Sequence, residues 1–249
     1  FFGVSGYDKF LGDDDAVAWG DLPYACEAPY SRNPETFIGP TRVVGRMPDL
    51  AAATEPSYLL GLLRTAAGYE RTPQADYLEY FGLSAEVWKG STAMSLENVF
   101  GSSHGLLLAP PSGPAYPDGE LKARMHFINC HGGPASPEFY GQHGSSYPVA
   151  LTTRTTASQV TEGAVAAVEC CYGAELYDSV TLSIDMPICQ SYLKQGAYAY
   201  FGSTTIAYGP ADTNGAADLI CQHFLLNVLD GASVGRAAPR DLLTSLGDK

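Results

Sequence analysis

The sequence predicts an α/β fold with a mostly parallel sheet, on three observations. Two short apolar runs, residues 124–133 (RMHFINCHGG) and 163–173 (GAVAAVECCYG), stop abruptly at a reactive side chain followed closely by glycine. Segments with an apolar stripe at helical spacing alternate with these and with other short apolar runs. Clusters of Gly, Pro, Ser and Asp separate the segments, and strands that alternate with helices imply a parallel sheet. Such a sheet binds ligands at the carboxyl ends of its strands. If the two runs are neighbouring strands, His131 and Cys170 emerge side by side at that edge.

Taken in order, residues 7–11 read as the end of a strand that runs into Asp13, Asp14 and Asp15. Calcium loops alternate their carboxylates, so three adjacent acids read as a solvated turn. Residues 21–48 are punctuated by Pro and Gly and read as loop, with short extended pieces at 37–39 and 43–46. A helix follows, with Thr54 as N-cap, Pro56 in the first turn, an apolar stripe of Tyr58, Leu59, Leu62 and Leu63, and Gly68 as C-cap. Tyr80, Phe81 and Leu83 mark a strand with Ser84, Ala85 and Glu86 at its carboxyl end. Gly90 and Ser91 open a helix to Phe100, and residues 106–109 (LLLA) form a short strand. Residues 119–123 lead back into the strand that ends at His131.

Residues 133–160 are rich in Gly, Ser, Pro and Thr and read as a long loop facing the substrate. His143 lies within it, with nothing adjacent to pair with. Residues 186–195 form a short amphipathic helix with Pro187 in its first turn, and residues 197–206 an aromatic-rich strand. Residues 217–229 form a helix with Leu219, Ile220, Phe224, Leu225 and Val228 on one side. No internal repeat or linker interrupts the pattern, so residues 1–249 read as one domain.

The chain is 45% hydrophobic and 16% charged, which supports a sizeable core. Its net charge of −13 argues against nucleic acid, whose phosphates need clustered Lys and Arg. No run is long or apolar enough to span a bilayer, so no membrane partner is expected. The visible chain carries no signal peptide, and a soluble protein, cytoplasmic or secreted, is expected. Because the first residue is Phe1 rather than Met, upstream sequence is expected to be missing. Six cysteines are dispersed along the chain, a pattern unlike a small disulfide scaffold.

Three chemistries are open to the pairs Cys130-His131 and Cys170-Cys171. One is a cysteine nucleophile with His131 as general base, the glycines allowing substrate backbone to approach and the N–H groups of Gly132 and Cys170 holding an oxyanion. A second is a Cys₃His zinc site, which the adjacency of the ligands disfavours, since neighbours along a strand point to opposite faces. The third is structural, cysteine serving as a small buried hydrophobe, and this suits Cys26, Cys130, Cys189 and Cys221.

At these residues the chain resembles the caspase-like cysteine peptidases, and within them the gingipain-type family. The family's apolar strand ending in His-Gly is matched by His131-Gly132, and its later strand ending in a catalytic Cys by Cys170-Cys171-Tyr172-Gly173. Phe37-Ile38-Gly39 with Val44-Gly45-Arg46, then Ser84-Ala85-Glu86, then Asp185-Met186-Pro187, then Gly202-Ser203-Thr204 resemble further family segments in the same order. The resemblance covers most of the chain. It implies a caspase-like three-layer α/β/α sandwich lacking its first N-terminal strand or strands.

The resemblance further implies a cysteine endopeptidase acting on protein or peptide substrates through a thioester, with no metal and no organic cofactor. By position His131 is the base, Cys170 the nucleophile and Glu86 the acid that orients the histidine. Tyr172, Ser203, Thr204 and Tyr208 become candidates for the substrate groove. The chain departs from the pattern at two places. Glu169 stands where the family has a small Ala, and the Glu-Ala-Cys pattern of related caspase-like enzymes would instead make Cys171 the nucleophile. Residues 89–94 (KGSTAM) lack the Asp with which the Arg-cleaving members bind a basic side chain. An inactive caspase-like domain that serves as a binding or scaffold module is the alternative function.

Overall fold

The computed structural model describes residues 3–4, 18–29, 31, 36–37, 39–215 and 217–238. The strand end expected at 7–11, the acidic turn after it and Ile38 lie outside the described residues. Two short strands, β1 (Gly3–Val4) and β2 (Ala18–Trp19), pair antiparallel ahead of a four-residue helix, α1 (Leu22–Ala25). The next helix, α2 (Ser57–Ala67), ends at Gly68 as expected, but Pro56 rather than Thr54 takes the N-cap position. Its buried seam is narrower than the sequence stripe: Tyr58 and Leu62 are buried while Leu63 is 47% exposed.

The centre of the molecule is a five-stranded sheet. Strand β3 (Tyr80–Ala85) leads through α3 (Lys89–Phe100) to β4 (Leu106–Ala109). Strand β5 (Met125–Asn129) lies on the other side of β3, followed across the sheet by β8 (Val165–Val168) and β9 (Ala199–Gly202). The order is β4-β3-β5-β8-β9, and every neighbouring pair is parallel. The chain direction across the sheet reverses between β3 and β5, the place where α/β sheets open a ligand crevice.

Alternate residues of these strands feed two cores. On one face Phe81, Leu83, Ile128 and Val168 pack with Ile188 and Tyr192 of α6 (Ile188–Lys194). On the other, Met125, Phe127, Val165 and Ala167 pack with Leu96 and Val99 of α3 and with Phe224 and Leu225 of α7 (Ala217–Leu229). Helices on both faces make a three-layer α/β/α arrangement. All of β5 is buried, as expected of a strand covered on both sides. Among the described residues, no helix is long and apolar enough to cross a membrane.

Residues 133–160 are not one long loop. They contain an antiparallel hairpin, β6 (Glu138–Tyr140) with β7 (Val149–Thr152), and one turn of helix, α4 (Thr153–Thr156). Phe139 and Leu151 pair across the hairpin and are buried in the α6-side core. Thr152 caps α4 by accepting from the Thr155 N–H at 3.0 Å. Another single turn, α5 (Ser179–Leu182), precedes α6 and is capped by Asp178. Strand β9 is shorter than the expected 197–206. Its last residues leave the sheet and run beside the turn after β8, where Tyr172 N–H donates to Thr205 O (2.7 Å) and Ala174 N–H to Ser203 O (2.8 Å).

His126 lies within β5 and is wholly buried. Its Nε2–H donates to Ala123 O (2.9 Å), so Nδ1 must accept from Tyr192 Oη–H (2.7 Å). Burial pushes its pKa down to about 4. The folded state therefore favours the neutral ring, and the stability this gives is present above the ordinary histidine range and is lost as pH falls toward 4. A shift from 6.5 to about 4 amounts to about 3 kcal/mol. Urea unfolding at pH 7 and pH 4 should show that loss in wild type, and His126→Gln should remove most of it.

Candidate active site

The site follows from how β5 and β8 are paired. Ile128 lies opposite Val168, and the Glu169 N–H still donates to Ile128 O at 2.8 Å. Beyond the paired residues Cys130 and Cys170 stay in contact through their thiols, while residues 171–174 form a turn at the carboxyl edge of the sheet, the edge at which His131 also lies. The chains stay in contact beyond the strands: a Cβ on Gly132 would lie 1.9 Å from Cys171 O, so only glycine fits there.

Cys130 and Cys170 are both buried in the α6-side core. Burial pushes the Cys170 thiol well up, and the Cys130 thiol hydrogen-bonded to it pushes further the same way. A group so placed resists forming a thiolate. Cys170, the expected nucleophile, is thus wholly buried, whereas its sequence neighbour Cys171, the alternative, is not. Cys171 is half-buried, and its Sγ accepts from the Ala207 N–H at 3.4 Å and lies 3.6 Å from Ala207 O. Among the described residues no group of three or more His, Cys, Asp or Glu side chains is placed to hold a metal ion.

His131 is held on every side. Its N–H donates to Tyr140 O and its carbonyl accepts from Tyr140 N–H, both at 2.8 Å. Its ring lies between Trp88, at 4.4 Å between centroids, and Tyr147, at 5.1 Å. Its Nε2 lies 2.7 Å from Gln142 Oε1. Glu86 follows β3 at the same edge, but its carboxylate pairs with Nδ1 of His143. The side chain in contact with His131 Nε2 is thus that of Gln142, and the one in contact with Glu86 is that of His143. His143 has a partner after all, one that sits 57 residues away in the chain.

Of the expected oxyanion donors, the Gly132 N–H sits against Cys171, and no backbone carbonyl among the described residues accepts from it. Nor does any backbone carbonyl among the described residues accept from the Cys170 or Cys171 N–H outside the strands and helices. Of the groove candidates, Tyr172 takes a left-handed backbone (φ 54°) directly after the thiol. Ser203 Oγ–H donates to Thr205 O at 3.0 Å, and Tyr208 is 36% exposed. Ser203, Thr204 and Tyr208 all lie on the segment that runs beside Cys171 and Tyr172. A cavity of about 890 Å³ opens at the amino ends of β8 and β9 beside Tyr77 and Tyr198, and none of the site residues lines it.

A buried acidic pair is the feature the sequence reading missed. Glu169, just beyond β8, and Asp218, on α7, are both buried. Glu169 Oε1 and Asp218 Oδ1 have no donor among the described residues if both groups are ionised. A proton shared between the two carboxyls satisfies both. Desolvation, and then the charge of Asp218 and its hydrogen bond, hold Glu169 well above the carboxylate range; desolvation raises Asp218 too. Around them the polar groups are paired: Ser84 with Thr92 (2.8 Å), and Gln222 with both Asn98 (2.9 Å) and Ser95 (3.1 Å). No protein-family model, curated protein or solved structure matches the chain.

A carboxyl raised in the folded state keeps its proton after the unfolded chain has released one. Stability from the pair is therefore complete below the ordinary carboxylate range and declines as pH rises above it, by about 1.4 kcal/mol per pH unit for one retained proton. Chemical unfolding from pH 5 to pH 8 should show this downward slope in wild type. Glu169→Gln, which supplies a permanent N–H donor, should flatten it.

Proposed function

We propose that the protein is a cysteine endopeptidase of the caspase-like type, with Cys171 as nucleophile and His131 as general base. What supports the reading is that both reactive runs end at the carboxyl edge of a parallel sheet, with Cys171 half-buried there and Cys170 buried in the α6-side core. A thiol and an imidazole at one sheet edge are the groups that nucleophilic catalysis needs.

In this mechanism His131 takes the proton of the Cys171 thiol, and the thiolate attacks the scissile carbonyl. The N–H groups of Gly132 and Cys171 hold the oxyanion as the tetrahedral intermediate forms. The intermediate collapses to a thioester as His131 protonates the departing amine. Water, deprotonated by His131, then attacks the thioester and frees the acid and the thiol. Tyr172, Ser203, Thr204 and Tyr208 line the channel along which the peptide lies.

Glu169 and Asp218 support a cationic side chain on the residue before the cleaved bond. Buried carboxyls short of donors are a receptor for positive charge, and a Lys or Arg head group would replace the shared proton with its own charge and N–H donors. The backbone comes close here, since a Cβ on Gly209 would lie 2.9 Å from Asp218 Oδ2. This acid lies elsewhere in the chain than residues 89–94, where the family pattern would place it.

Cleavage of a peptide library by wild type and variants tests the reading. Cys171→Ala and His131→Ala should each lower kcat/KM by at least about 10³-fold, while Cys170→Ala keeps activity within about tenfold. Lys or Arg should dominate before the cut bond, and Glu169→Gln should weaken that preference. Loss of cleavage in Cys170→Ala alone would return the nucleophile to Cys170. No cleavage by folded wild-type protein, with Cys171 no more reactive than an ordinary thiol, would favour the non-catalytic alternative.

A further inference from the structure

We propose that Gln142 is the positioning residue for His131, and that the Glu86–His143 pair holds the turn that presents it. The proposal rests on the peptidase reading above, and its test separates the two. Gln142 Oε1 lies 2.7 Å from His131 Nε2, while its amide nitrogen donates to Gly144 O at 3.1 Å. The second contact fixes which way the amide faces, so the atom facing the ring is an acceptor. Nε2 therefore carries the proton, which leaves Nδ1 as the ring nitrogen able to act as the base of the mechanism proposed above.

The backbone under Gln142 is fixed as firmly as the side chain. Its N–H donates to Ala109 O at 3.0 Å, at the end of β4, and Gly141 N–H donates to Pro148 O at 2.8 Å. A Cβ on Gly141 would meet Ala109 O at 2.1 Å, so the turn lies flush on that strand end. His143 and Ser146 exchange two backbone hydrogen bonds of 3.0 Å across the tip. The His143 ring then reaches Glu86 at the end of β3. The turn between β6 and β7 is thus tied to three strand ends: β4 through Ala109, β3 through Glu86 and β5 through His131. Glu86 acts on the imidazole through the turn rather than by touching it.

The experiment measures the rate of Cys171 alkylation by iodoacetamide against pH in full-length protein carrying Cys170→Ala, alongside peptide hydrolysis. Gln142→Ala should lower kcat by about 10- to 100-fold with KM within about twofold, the usual scale for a residue that orients a catalytic group, and should move the alkylation midpoint to higher pH. Gln142→Met keeps the length and drops the acceptor, and should behave like Gln142→Ala. Gln142→Glu keeps an acceptor, and should lower kcat less than Gln142→Ala does. Glu86→Gln should act in the direction of Gln142→Ala but add nothing in the Gln142→Ala background. Wild-type behaviour of Gln142→Met, or full additivity of Glu86→Gln, overturns the proposal. Alkylation that responds to His131→Ala but not to Gln142→Ala overturns it while sparing the dyad. Alkylation indifferent to His131→Ala overturns both readings.

Discussion

The pairing of β5 with β8 decides which residues meet. Two faces of a parallel sheet are buried, and every side chain on either strand is assigned to a face by its parity. Ile128 and Val168 belong to the α6-side core, and Phe127 and Ala167 to the core under α3 and α7. Shifting one strand by a residue would exchange these sets. Burying a large apolar side chain is worth about 1.5–3 kcal/mol, so a slip that mispacks several of them exceeds what one favourable site contact returns. Packing, and not the chemistry of the site, therefore buries Cys170, and the Cys130–Cys170 contact in the α6-side core is a consequence of that register.

That register explains how far the sequence could be read. Strands β3 and β4 and helices α3, α6 and α7 were legible because each carries its own apolar pattern, and so was the carboxyl edge, since both reactive runs end at it. The face of Cys170 was not legible, because register is a relation between two strands. The hairpin β6–β7 was hidden for a different reason. Its strands have three and four residues, set among Gly, Ser and Pro, and they become strands by pairing with each other and seating Phe139 and Leu151 in the core. With the hairpin unseen, Gln142 and His143 read as loop, and the family resemblance pointed to Glu86 as the partner of His131. Gly141 was the available signal, one of several glycines in that stretch, and only the structure shows what it lies against. Glu169 and Asp218 are likewise far apart in the chain and meet only through the packing of α7 on β8.

The layer beneath the dyad is polar where a core would ordinarily be apolar. Ser84 and Glu169 lie on β3 and just beyond β8, one step below His131 and Cys171, and face Thr92 of α3 and Asp218 of α7. Buried polar groups are tolerable when each has a partner. Here the hydroxyls and amides satisfy one another, and the deficit is concentrated on one oxygen each of Glu169 and Asp218. Two carboxyls close together in a desolvated place repel when both are ionised, and a proton between them is one remedy. A bound cation is the other. The first operates in the empty protein and the second on binding a positively charged side chain, so one feature accounts for both the stability of the resting fold and the selectivity proposed for it.

The charge around the thiol also explains why an amide serves better than a carboxylate at Nε2 of His131. The chain carries a net charge of −13, and Glu169 and Asp218 already lie beneath the site. A further uncompensated carboxylate beside the dyad would raise the cost of forming a thiolate through the same like-charge effect. Glu86 is the carboxylate nearest in sequence to that role, and its charge is engaged by His143 at the tip of the hairpin. Gln142 supplies an acceptor at 2.7 Å without net charge. It can fix the tautomer and orientation of the imidazole while leaving the local potential to the backbone N–H groups around the sulfur. The division of labour is physical: Glu86 contributes its charge to holding the turn, and Gln142 contributes geometry to the ring.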